Sequence, residues 1–262
     1  MGRFHRHDDG TVHTHDHSDP ENHGHEHHDH GDHSGYETGS QRIDVLESIF
    51  AENDVRADFN RKAFESNRIR ALNLMSSPGS GKTTVLGATL DELAGEFAVG
   101  VIEGDIATDL DAAKLGGRGA QISLLNTGNG FGGECHLDAP MVNRALQGLD
   151  LDKLDLVIIE NVGNLVCPAE FDVGEHAKAM VYSVTEGDDK PLKYPVMFRA
   201  VDVVLLNKID LVPYLDVDVD SYMARVREVN PTATILPVSA RTGAGMSAWF
   251  GWLRRFIADP TT

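Results

Sequence analysis

The sequence predicts a doubly wound α/β fold with a mainly parallel sheet, and ahead of it a tail of a different kind. Three observations carry this. Leu156-Val157-Ile158-Ile159 and Val201 to Leu206 are nearly unbroken apolar runs, which suit parallel strands covered on both faces. Each run ends in a polar motif, and side chains at the carboxyl ends of parallel strands face the ligand crevice. The composition changes near residue 40. The chain therefore divides into a tail, 1–40, a helical extension, 41–68, and a folded domain, 69–262.

The tail holds eleven of the thirteen histidines: His5, His7, His13, His15, His17, His23, His25, His27, His28, His30 and His33. They are interleaved with Asp, Glu and Gly. With so few apolar residues the segment cannot offset the entropy of ordering, so disorder is expected. His-rich tracts bind metal, and imidazole suits nickel, zinc and copper. A tag would be an uninterrupted His run, which this is not. A merely solvated polar tail is the plain alternative. In the extension, Ile43, Leu46, Ile49 and Phe50 fall at helical spacing, and Phe59, Ala63 and Phe64 continue an apolar face. A helix packed on the domain is expected.

The domain opens with an apolar run, Ile69 to Met75, then Ser76-Ser77-Pro78-Gly79-Ser80-Gly81-Lys82-Thr83-Thr84, then a helix to Leu93. Strand, glycine-bearing loop, Gly-Lys-Thr and helix form a phosphate-binding P-loop. Gly79, Ser80 and Gly81 let backbone N–H groups curl around phosphates, and the helix start adds free N–H groups and a positive dipole end. Lys82 is placed for the β- and γ-phosphates, Thr83 for Mg²⁺, and Thr84 for the phosphates beside it. Ser76 stands where the first glycine of the usual pattern would be.

Phe97 to Glu103 reads as the next strand. It ends at Asp105, which either holds Mg²⁺ or caps a helix starting near Thr108. Gln121 to Leu125 is a short strand before a glycine-rich loop containing Cys135 and His136. The run ending at Glu160-Asn161-Val162-Gly163 has the form of a Walker B and switch II segment, with Glu in place of the usual Asp. Glu160 is assigned to Mg²⁺ and Gly163 to the γ-phosphate. After a strand over Ala177 to Val184 comes a polar stretch, Glu186 to Lys193. The run Val201 to Leu206 ends in Asn207-Lys208-Ile209-Asp210, about 125 residues beyond the P-loop. An Asp placed there accepts two hydrogen bonds from guanine, and adenine offers no matching donors. Lys208 would lie along the base, and Asn207 would tie its loop to the P-loop. Thr234 to Val238 closes the sheet, and Ser239-Ala240 follows as the loop that meets the guanine carbonyl. Met246 to Ile257 is a final helix with Trp249, Trp252, Leu253 and Phe256 on one face.

Composition narrows the function classes. A net charge of -18 opposes binding to nucleic acid or an anionic membrane. No apolar run approaches the roughly 20 residues of a membrane span. The amino end lacks the apolar core of a signal peptide, and Arg6 breaks a myristoylation pattern. Two cysteines make no disulfide framework, so a reducing cytoplasm is expected. Cys135, His136 and Cys167 are thiolate and imidazole ligands suited to Zn²⁺ or Ni²⁺, the alternative being two small core cysteines. One chain supplies few ligands, which points to a site shared across a two-fold dimer or open to transfer.

Taken together, the stretches Leu72 to Thr84, Glu103-Gly104-Asp105, Glu134 to Ala139, Ile159 to Pro168 and Asn207 to Asp210 resemble the nickel-incorporation GTPases of hydrogenase maturation, the HypB family, cousins of the urease accessory G protein. The resemblance implies a GTPase that turns GTP into GDP slowly and helps load nickel into the [NiFe]-hydrogenase large subunit precursor. It implies work with a HypA-like nickel chaperone and the nickel store SlyD, and homodimerisation with GTP or metal bound. It also implies zinc or nickel at Cys135, His136 and Cys167. The Cys-rich amino-terminal motif of some members is missing here, and the His-rich tract of nickel-storing members stands in its place. Two other readings remain: a nickel storage protein whose nucleotide domain is a scaffold, and a urease accessory GTPase.

Overall fold

The computed structural model describes residues 4–6, 12–14, 38–104, 117–125, 136–164 and 166–259; side chains are described from residue 50 onward, Cys167 excepted. Asp105, Cys135 and most of the tail lie outside the described residues. Within the tail, β1 (Phe4–Arg6) and β2 (Val12–Thr14) pair antiparallel, with His5 opposite His13. At these six residues the backbone forms a short ladder, for which the β-branched Val12 and Thr14 are suited.

The main unit is a seven-stranded parallel sheet. Its strands are β3 (Arg70–Ser76), β4 (Val99–Glu103), β5 (Gln121–Leu124), β6 (Leu156–Glu160), β7 (Ala177–Ser183), β8 (Val203–Asn207) and β9 (Thr234–Pro237). The order is β5-β4-β6-β3-β7-β8-β9, every pair parallel. β3 is central. The chain first builds outward to one side of it and then to the other, which places the crevice at its carboxyl end.

Alternation along the strands sorts the core. Leu72 and Leu74 of β3 and Ile158 of β6 face α2 (Lys82–Leu93) and the last helix, Met246–Ala258, where Val85, Leu86, Leu90, Trp249 and Leu253 are buried. On the other face Ala71, Val157 and Ile159 pack with Phe64 of α1 (Thr38–Asn67) and Val142 and Leu146 of α3 (Ala139–Leu146). Met75, Met180 and Val204 extend that face. Each fully buried aliphatic side chain contributes about 1.5–3 kcal/mol, which explains why these strands are apolar on both sides. The two helices of the first face are also joined by Trp249 Nε1, which donates to Thr89 Oγ1 at 2.9 Å.

α1 differs from expectation in which face it buries. Phe59, read as part of the apolar face, is 58% exposed, and the buried line is Asn53, Ala57, Asn60 and Phe64. The asparagines are inside because they bond loop backbone. Asn60 Nδ2 donates to the carbonyls of Ala139 and Val173 at 2.9 and 3.0 Å. Asn53 accepts from the Ala139 N–H at 2.9 Å and donates to the Asp172 carbonyl at 2.8 Å. Buried amides so satisfied avoid the desolvation penalty of an unpaired polar group.

His176, just before β7, accepts the Ala71 N–H at Nδ1, 2.9 Å away. Burial, with Arg70 and Arg61 nearby, lowers its pKa from 6.5 to about 4. The folded protein therefore keeps His176 neutral where the unfolded chain takes up a proton. Stability from this group is complete above about pH 6.5 and is lost as the pH falls from there towards 4. His176→Gln, whose carbonyl can accept the same bond without titrating, is expected to flatten the loss of urea resistance across that window; an unchanged slope would count against it.

Candidate nucleotide-binding site

The P-loop runs from the end of β3 into α2. Gly79 and Gly81 have φ of 75° and 98°, in the left-handed region where glycine is at ease. At Gly81 space matters too, because a Cβ would lie 2.6 Å from Asn207 Nδ2. Ser76 to Thr84, with Gly163, line a cavity of about 200 Å³. Lys82 is 5% exposed, and its Nζ stands 3.6 Å from Glu160 Oε1. Thr83 Oγ1 donates to the same carboxylate oxygen at 3.2 Å. Glu103, the register neighbour of Glu160, brings a second buried carboxylate to the adjacent strand end.

Asn207, at the end of β8, holds the second loop against the first. Its Nδ2 donates to the Ser80 carbonyl at 2.9 Å, and its Oδ1 accepts from the Ala240 N–H at 3.1 Å. Lys208 has φ 65° and sends Nζ to the Gly79 carbonyl at 2.6 Å. A cavity of about 290 Å³ opens between the loops, lined by Gly81, Thr84, Asn207, Lys208, Asp210 and Ala240 among others. Its size and its mixed lining, with a carboxylate at one side, suit a purine base adjoining the phosphate cradle.

Ser239 and Ala240 follow β9 and are bonded within the protein. The Ser239 N–H donates to the Ala244 carbonyl at 2.8 Å, closing a turn, and the Ala240 N–H is given to Asn207. The Ser239 hydroxyl donates to Asp210 Oδ1 at 2.6 Å and fixes the carboxylate. Arg241, which also lines the cavity, was not singled out from sequence.

Of the candidate metal ligands, His136 is described. It is half-buried and stacks on Phe171 with ring centroids 4.1 Å apart; Phe171 in turn stacks on Phe50 at 5.3 Å. Cys167 begins the short helix Cys167–Glu170. Among the described residues no three His, Cys, Asp or Glu side chains cluster as ligands, and Cys135 and the Cys167 side chain lie outside them.

Sequence reasoning missed three side chains around the cradle. Asn161, fully buried, accepts from the Leu137 N–H at 3.1 Å and donates to Asn73 Oδ1 at 3.3 Å. Glu186 accepts from the Ser77 hydroxyl and, at 2.7 Å, from the Ser80 hydroxyl. Lys190 pairs with Glu186 at 2.6 Å. The last two fell in a segment read only as polar. The available signal was position, since Glu186 lies three residues beyond the end of a strand beside β3.

The family model described as CobW/HypB/UreG, nucleotide-binding domain, matches residues 70–237, from the start of β3 to the end of β9. The chain is 50% identical over 216 residues to the hydrogenase maturation factor HypB of Azotobacter chroococcum mcd 1, covering 82% of this chain and 70% of that protein. With the HypB of Escherichia coli K12 it shares 48% over 223 residues, 85% of this chain and 76% of that one. The crystal structure of HypB from Helicobacter pylori in complex with nickel matches with a TM-score of 0.73 at 36% identity, covering 79% of this chain and 95% of that chain. The chain belongs to the CobW/HypB/UreG family of nucleotide-binding domains, and within it to the hydrogenase maturation factors HypB.

Proposed function

We propose that this chain is a GTP-hydrolysing nickel metallochaperone for [NiFe]-hydrogenase maturation, with further nickel held by its His-rich tail. The observation that carries the nucleotide half is the bonding of two loops into one cradle, Asn207 to Ser80 and Lys208 to Gly79, with Asp210 set beside the cavity they enclose. A carboxylate held by Ser239 at that place is matched by the two donors on the guanine edge. The P-loop N–H groups and Lys82 take the phosphates, and Gly163, which lines the same cavity, is the proposed donor to the γ-phosphate.

The reaction is attack of water on the γ-phosphorus, giving GDP and phosphate. Lys82 balances charge on the phosphates, and Thr83 and Glu160 offer adjacent oxygen donors of the kind a hard divalent cation takes. Mg²⁺ held there, with Asp105, would neutralise phosphate charge. The sequence marks no catalytic base or arginine finger, which fits a slow switch.

Nickel is the cargo. Cys135, His136 and Cys167 are the proposed Ni²⁺ or Zn²⁺ ligands of the domain, in a homodimer formed with GTP or metal bound. The relatives' name, hydrogenase maturation factor, supports a hydrogenase precursor as the destination; the large subunit as that precursor, and a HypA-like chaperone and SlyD as partners, are part of the proposal. The nickel complex of the H. pylori relative supports the metal. A cytoplasmic setting follows from that role. Among the described residues no helix is long and apolar enough to cross a membrane.

Two outcomes test this. Lys82→Ala is expected to abolish GTP hydrolysis while leaving the nickel capacity of the tail intact, measured as phosphate release and bound nickel on one preparation; loss of the tail's nickel would show that the two modules are not separable. Asp210→Asn is expected to weaken GTP binding by about tenfold or more without creating useful ATP affinity, since one donor–acceptor match becomes a clash. Unchanged GTP affinity would remove the guanine assignment.

A further inference from the structure

Glu186 and Lys190 lie outside the cavity that the P-loop encloses, yet they touch the loop from behind. The Glu186 carboxylate, only 10% exposed, takes the hydroxyls of Ser77 and Ser80, the Ser183 N–H at 2.9 Å and the Lys190 ammonium at 2.6 Å. Lys190 Nζ also reaches Ser77 Oγ at 3.4 Å. The turn that carries Glu186 is itself built in. The Tyr182 hydroxyl donates to the Gly187 carbonyl, and the Tyr222 hydroxyl donates to the Val184 carbonyl at 2.7 Å. Burial raises both phenol pKa values, so both hydroxyls keep their protons and remain donors. The Val184 N–H donates to the Asn207 carbonyl at 3.1 Å, joining this turn to the base-side loop.

This arrangement has an electrostatic consequence. Two serines held by one carboxylate fix the curvature of a loop whose N–H groups must converge on phosphates. The same carboxylate, left uncompensated in a site of low dielectric, would repel a polyphosphate from behind that loop. Lys190 removes the penalty.

We propose that Glu186 and Lys190 form a charge-compensated clamp on the phosphate loop: Glu186 positions the loop through Ser77 and Ser80, and Lys190 keeps Glu186 from opposing nucleoside polyphosphate binding. The clamp rests on the reading that the cradle takes a guanine nucleotide. Both are positioning residues, acting through the loop and not on the reacting atoms. The clamp also makes the loop's affinity depend on the turn after β7, a segment the P-loop motif does not contain.

The test is a titration of the full chain with fluorescent GDP and a fluorescent non-hydrolysable GTP analogue. Lys190→Met is expected to weaken the triphosphate by about tenfold and the diphosphate by less, because the exposed carboxylate acts on the larger charge more strongly. Lys190→Gln, which keeps a donor for Ser77 but no charge, must behave like Lys190→Met. Glu186→Gln keeps acceptors for Ser80 and the Ser183 N–H and removes the charge. The double variant Glu186→Gln with Lys190→Met is therefore expected to recover affinity to within about threefold of wild type, a non-additivity that lost packing alone does not produce. Wild-type affinity in Lys190→Met, or a double variant no better than Lys190→Met, would overturn the clamp. Failure of the wild-type chain to bind either nucleotide would overturn the guanine reading, and the clamp with it.

Discussion

The site depends on one side-chain amide. Asn207 ends β8, donates to the Ser80 carbonyl and accepts the Ala240 N–H, so three loops from three strands are held by a single residue. Its bond to Ser80 is buried, where a hydrogen bond is strong and an unmade one is costly. Gly81 is the complement. Its left-handed backbone turns the chain into α2, and its missing side chain leaves room for the Asn207 amide. The P-loop cavity and the cavity beside Asp210 are therefore joined through one residue.

Buried amides repeat this solution across the opposite face of the sheet. Asn73, in the middle of β3, lies between Glu175 at 3.2 Å and Asn161 at 3.3 Å, and Asn161 holds the Leu137 N–H. Burial raises the Glu175 pKa, and Lys178 at 3.3 Å opposes that rise. Asn53 and Asn60 of α1 hold Ala139 and the 172–173 backbone. An amide both donates and accepts without carrying charge, so it joins loop backbones in the interior without the desolvation cost of an ion.

The same fact separates what could be read from the sequence from what could not. The apolar strands were legible because burial on both faces leaves a composition that no surface segment has, and Leu156–Glu160 and Val203–Asn207 each overlap the run that announced them and end one residue beyond it. The loops after them were legible because phosphate and guanine recognition demand particular residues at particular spacings. α1 was legible as a helix but not in its orientation: apolar periodicity favoured Phe59, while the buried line has two asparagines whose partners are more than seventy residues away. For Ser239 and Ala240 the motif named the loop but not the bonds their N–H groups make to Ala244 and Asn207, because a motif names residues and not which N–H the local turn uses. Glu186 is invisible to motif reading for the opposite reason: its partners, Ser77 and Ser80, belong to a motif in which they are variable positions.

Asn161 shows what such connections would mean if the chain handles both a nucleotide and a metal, as proposed. It directly follows Glu160, which bonds Thr83, and its amide holds the N–H of Leu137, the residue after His136. Two residues beyond Asn161 is Gly163, on the wall of the phosphate cavity. Under the proposed reading, a shift of this segment towards a bound γ-phosphate strains or releases the bond to Leu137 and so acts on the loop that carries His136. Linkage then requires the reverse: a metal that prefers one position of that loop must change the affinity for GTP by the same factor by which GTP changes the affinity for metal. Asn161, which makes the connection, is fully buried and bonded to Leu137, Asn73 and the Val162 N–H, so it has little freedom to absorb motion at one end without passing it to the other.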